Sequence, residues 1–186
     1  MKKVNNIFTT FLFIFIAGFF IFVVSPVSAS PYGVGVYDAV VPYGGQTSLT
    51  ISASNVAISA QAASGGQLST SSNAVTVTST DVKGYKLYLN ALTSANLTGT
   101  VGSIPASANV SLAALATNTW GYNTDASTNF IGVTTTPTLI TNFTGPSAPS
   151  TGGSVTTVTY GLKLDFLKAA GNYTTNILYT AVPQTT

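Results

Sequence analysis

The chain has 186 residues, a formal net charge of +2 and only 5% charged residues, and it contains no Arg, Glu, His or Cys. That composition excludes an imidazole base, a thiolate nucleophile, an ordinary zinc or copper site and a disulfide framework. Without arginine, and with so little charge, it also argues against nucleic acid as a partner and against an electrostatic hold on anionic membranes.

The N-terminus has the layout of a bacterial secretory signal peptide. Lys2 and Lys3 precede an apolar-to-neutral run from Ile7 to Val24, and small residues follow in Val27-Ser28-Ala29. This predicts a signal helix over residues 1–29, cleavage after Ala29, and a secreted or cell-surface protein. Left uncleaved, the same segment is the chain's one link to a membrane, at the short end of what can span a bilayer. In the mature chain, Lys83, Lys86, Lys163 and Lys168 balance Asp38, Asp81, Asp125 and Asp165. The surface must then be largely Thr, Ser, Asn, Gln and Gly, which repels other copies weakly.

Residues 30–45, "SPYGVGVYDAVVPYGG", read as a loose segment or an edge strand, and residues 46–186 as a single β-sandwich domain. Period-two alternation with Thr, Val and Tyr enrichment predicts strands at 47–53, 73–80, 84–92, 117–123, 156–166 and 172–182. On the fifth of these, Val158, Tyr160, Leu162, Leu164 and Phe166 share one face, with Lys163 and Asp165 on the other. One dry face per strand implies antiparallel sheets packed face to face, an all-β, immunoglobulin-like sandwich. The Gly-, Pro-, Ser- and Asn-rich stretches 61–72, 94–109 and 141–153 read as loops. "SLAALA" (111–116) allows a turn of helix. "VTVTSTDVKGYKLYL" and "LKLDFLKAAGNYTTNIL" echo each other. They read as two similar hairpins, turned at Gly84 and Gly171, with Tyr85 and Tyr173 opening the next strand.

Residues able to do chemistry are few. Asp81 and Asp165 sit at bends followed by lysines, where an Asx-type turn or a solvated ion pair is the ordinary role. Asp125 reads as a turn residue that offers calcium a single carboxylate. Neither an acid–base pair nor an activated nucleophile emerges, so no enzyme and no cofactor is expected. An isopeptide bond from Lys163 or Lys168 would require a buried lysine. Sequons at Asn96, Asn109, Asn142 and Asn172 matter only in a host that glycosylates asparagine. Trp120, Tyr122, Tyr160, Tyr173 and Tyr179 are candidates for the structural core. Trp120 and Tyr122, if exposed, would instead stack on sugar rings.

Several of these residues fall in a pattern. Trp120-Gly121-Tyr122, Tyr160-Gly161-Leu162-Lys163-Leu164-Asp165, Ala170-Gly171-Asn172-Tyr173 and Tyr179-Thr180-Ala181 follow in that order. With the upstream "VTVTSTDVKGYKLYLNA", the pattern resembles a family of secreted β-sandwich surface proteins found in Saccharibacteria and other candidate-phyla bacteria. The resemblance covers roughly residues 47–183. It implies a cell-surface protein and brings no assigned activity, cofactor or catalytic residue. The closing strand is more distantly similar to those of WxL-type and fimbrial domains, although the chain lacks the Trp-x-Leu signature. The expectation is a secreted, non-enzymatic surface protein with a structural or adhesive role. Its partners would be a host or neighbouring cell surface, or other subunits of a surface assembly. Two alternatives stay open: a pilin-like subunit polymerising by strand exchange through 30–45, and a carbohydrate-binding module using Trp120 and Tyr122.

Overall fold

The computed structural model describes residues 49–79, 83–147 and 152–184. The expected signal helix, the segment 30–45, Asp38 and Asp81 lie outside the described residues. Within them the chain forms nine strands and no helix. These are β1 (Leu49–Ser52), β2 (Gln67–Ser79), β3 (Tyr85–Ala91), β4 (Leu97–Gly99), β5 (Gly102–Ile104), β6 (Thr119–Asn123), β7 (Thr138–Phe143), β8 (Ser154–Leu164) and β9 (Ile177–Pro183).

A four-stranded sheet runs β1-β2-β8-β6, a three-stranded sheet runs β7-β3-β9, and β4-β5 is a small separate ribbon. Every neighbouring pair is antiparallel. The architecture is all-β and sandwich-like. The long ladder between β2 and β8, from Gln67↔Leu164 to Val77↔Ser154, is its spine. Inward-facing Val75, Val77, Val158, Tyr160 and Leu162 of the larger sheet meet Tyr85, Leu87, Leu89 and Ala91 of the smaller one in a single apolar core. Tyr85 is fully buried, stacks on Phe143 at 5.3 Å and donates its hydroxyl to Ser154 Oγ at 2.8 Å.

Several expectations need correction. The stretch 61–72 is not all loop. Gly65 and Gly66, both at positive φ, turn the chain, and the polar run from Gln67 then pairs along β8. Its partner supplies the order that its own apolar content does not. The region 94–109 contains the β4–β5 ribbon, which buries Ile104, and β7 takes residues 138–143. "SLAALA" forms no helix, and Ala113 instead bridges Phe130. β8 ends at Leu164, so Phe166 does not join the core face but is 73% exposed on the turn beyond. β9 begins only at Ile177, so Tyr173 opens no strand.

The echoing segments are not hairpins either. β2 and β3 lie in different sheets, and so do β8 and β9. Each echo is an arch that carries the chain from the larger sheet to the smaller one. Gly84, at φ 96°, is required in the first arch, because a Cβ there would stand 1.9 Å from the Phe143 carbonyl oxygen. The second arch is tied by the Tyr173 hydroxyl, which donates to the Ala169 carbonyl at 2.8 Å.

Candidate functional site

The residues of the sequence pattern converge on β6 and β8. Gly121 lies directly opposite Gly161 and Tyr122 opposite Tyr160. Trp120 and Tyr122 point into the core, each 3% exposed, and Trp120 lies 6.3 Å from Tyr160 and donates its indole N–H to the Ala95 carbonyl at 2.9 Å. Stacking on a sugar needs an open ring face, and neither of these rings presents one. Tyr160 is buried as well, while Tyr173 and Tyr179 are half-buried against the same core.

The paired glycines open the other side of the sheet to Phe130, which is fully buried. A Cβ on Gly161 would meet the Phe130 ring at 2.5 Å, and one on Gly121 would meet the Ile131 carbonyl oxygen at 2.4 Å. The 124–133 loop thus lies flat on β6 and β8, with Tyr122 and Ile131 exchanging backbone hydrogen bonds. Glycine inside a strand signals such an approach, and that was the available clue to Phe130. Within this loop the Asp125 carboxylate accepts from the Ser127 N–H at 3.1 Å, which holds its pKa below the usual carboxylate range. Asn123 donates to the Ser127 and Asn129 carbonyls. Those oxygens are already engaged as acceptors, and the residues Asn123 and Asp125 serve the turn.

Between the sheets a hydrogen-bonded chain crosses the core. The Tyr160 and Tyr179 hydroxyls lie 2.7 Å apart, Tyr179 donates to Asn73 Oδ1 at 3.2 Å, and Asn73 Nδ2 donates to the Ser54 carbonyl at 2.9 Å. Burial raises the phenols of both Tyr160 and Tyr179 above the ordinary tyrosine value, and at Tyr160, where the rise is large, the neighbouring Tyr179 adds to it.

This network forms part of the wall of a cleft of about 960 Å³. It is lined by Trp120, Tyr160 and Leu162, by residues 168–176 with Ile177 and Tyr179 of β9, and by the extended segment 53–62. That segment is a strap. Val56, Ile58 and Ala60 turn toward the core while the residues between them are exposed, the period-two pattern of a strand. Yet among the described residues it belongs to no sheet, and of its backbone groups only the Ser54 carbonyl has a partner there, the Asn73 side chain. The alternation is visible in "SNVAISAQ" and is absent from the strands predicted above.

A second feature stands at the end of β8. Asp165 Oδ1 accepts from the Leu167 N–H at 2.9 Å and from Asn118 Nδ2 at 2.8 Å, and the Asp165 N–H donates back to Asn118 Oδ1 at 3.2 Å. This Asx turn holds Phe166 and Leu167 in solvent, 73% and 86% exposed. Lys168 donates to the Ser103 carbonyl at 2.9 Å and Lys163 is partly exposed, so neither is set up as the buried amine that an isopeptide bond requires. Among the described residues, no group of three or more acidic, His or Cys side chains could hold a metal ion. No family model, curated protein or solved structure matches the chain.

Proposed function

We propose that this is a secreted, non-enzymatic cell-surface protein with a structural or adhesive role, built on an immunoglobulin-like sandwich. The observation that carries the adhesive reading is the pair Phe166 and Leu167, held outward by a turn that is itself pinned to Asn118. Two large apolar side chains fixed in solvent mark a contact surface. The signal-peptide layout supports the location, and the resemblance to secreted surface proteins supports the class. Nothing in the inventory of acids, bases and nucleophiles supports catalysis.

The test is to label intact cells with antibody against the mature domain and to compare adhesion of wild type and the double variant Phe166→Ser/Leu167→Ser. Envelope labelling, with loss of adhesion and an unchanged melting temperature in the variant, supports the reading. Protein retained inside the cell overturns it.

A further inference from the structure

We infer that the cleft beneath the strap is a strand-docking site, and that its occupant is residues 33–41 of a second copy of this chain. The inference rests on the surface-protein reading above and names the partner of a surface which that reading leaves unused. Three observations carry it.

The first is the unused hydrogen-bonding capacity in the lining of the cleft. Among the described residues β9 is an edge strand that pairs with β3 alone, and the strap, which also lines the cleft, has a strand's alternation without a ladder. Edge groups of this kind are a template for a further strand. Sugars or small amphiphiles would leave the repeating donors and acceptors unmatched, whereas an extended backbone matches them.

The second is complementarity of sequence. "GVGVYDAVV" (33–41) places Val34, Val36, Asp38 and Val40 on one face of a strand, with Gly33, Gly35, Tyr37, Ala39 and Val41 on the other. Among the described residues Lys168 is the one charged side chain lining the cleft, and Asp38 is the one charge in the segment. The Lys168 ammonium spends one donor on the Ser103 carbonyl. Two more remain for a carboxylate.

The third is reach. Leu49 pairs with Ser79 at one end of β2, and Leu164 pairs with Gln67 at the other, near Lys168. That path along β2 is about 40 Å at strand rise. The stretch from Asp38 to Leu49 covers at most about 40 Å when fully extended. A chain's own Asp38 reaches its own Lys168 only if Gly44 and Gly45 are drawn straight, while a second copy enters without that constraint. Zero net charge on the mature chain lets copies approach one another.

The absence of cysteine makes the test clean. Full-length chains carrying Asp38→Cys or Lys168→Cys are expressed separately, purified as secreted, mixed, and treated with a short thiol-to-thiol linker. The expected result is a covalent heterodimer about tenfold above the yield with Val110→Cys, which is exposed and outside the cleft. Asn172→Cys, on the same rim, should behave like Lys168→Cys and guards against a defect caused by losing the lysine. The double variant Asp38→Cys/Lys168→Cys should give a ladder of multimers. An internally bridged monomer, or heterodimer no more abundant than the Val110→Cys control, overturns the inference. Envelope labelling without trans cross-linking removes this docking site and leaves the surface-protein reading intact. Retention inside the cell removes that reading whatever the purified chains do.

Discussion

Gly161 and Gly121 have no side chains, and what they admit decides how the outer face of the larger sheet is covered. The Phe130 ring rests where a Cβ of Gly161 would be. Gly161→Ala is therefore expected to cost about 1–3 kcal/mol through overpacking, and Phe130→Ala about 3–5 kcal/mol through the void it leaves. The two changes should not add, because the second removes the ring that the first collides with. Denaturant unfolding of the single and double variants checks all three values. A second expectation concerns the phenols that bridge the sheets. Tyr179→Phe removes the group shared by the Tyr160 hydroxyl and Asn73. A loss of about 1–2 kcal/mol follows from buried polar atoms left short of a partner, and an unchanged melting curve would show that water replaces it. At this scale the sequence was readable where parity decides, as at Val75, Leu87 and Trp120. It failed at Phe166, because alternation says nothing about where a ladder stops. That stop is set by Asn118, distant in sequence and hydrogen-bonded to the intervening Asp165.

Among the elements, the two echoing segments carry the most information. Strand, polar bend with Gly, Tyr and strand was legible in both, but whether the second strand returns beside the first or crosses to the facing sheet was not. A hairpin and an arch place the same residues on the buried face, and only the partners of the strands tell them apart. Polar strands were missed for a related reason. Residues 67–72 are ordered by Thr159 to Leu164 across the ladder and not by apolar content of their own. The strap is the reverse case, a strand pattern with no strand beside it. Its amide protons should accordingly exchange with solvent within seconds, while those of Val75, Val77, Val158 and Leu162 stay protected until global unfolding. Hydrogen exchange read by mass spectrometry, on dilute protein, gives the comparison. Slow exchange over 53–62 in dilute protein would mean that the strap has found a ladder.

The molecule as a whole is nearly free of groups that titrate near neutrality. Its stability should be flat from about pH 5 to pH 9, because only Asp, Lys and Tyr side chains and the chain termini carry charge. On the acid side, the Asp125 pKa is lowered by the Ser127 N–H, so its contribution is present above the unfolded value and is lost as pH falls below about 4. On the alkaline side, the phenols of Tyr122, Tyr160 and Tyr179 are raised, mainly by burial. What they contribute is complete below the unfolded tyrosine value near pH 10 and drains away above it. The slope is about 1.4 kcal/mol per pH unit for each phenol that only the unfolded chain ionises. Unfolding midpoints measured from pH 8 to pH 12 should show this decline, and Tyr160→Phe should make it shallower.

The positions of the first and last strands have a consequence for display. Leu49 of β1 pairs with Ser79, Pro183 of β9 pairs with Tyr85, and Gln184 donates to the Gly84 carbonyl. The polypeptide thus enters and leaves the sandwich at one pole, where the short connection from β2 to β3 also lies. The turn bearing Phe166 and Leu167 follows Leu164, which pairs with Gln67 at the opposite pole. A tether on either side of the domain in the chain therefore presents the same apolar tip outward. Tension applied between the two tethers pulls on neighbouring strand ends at one pole and peels the four-residue β1 from β2 before it loads the long β2–β8 ladder.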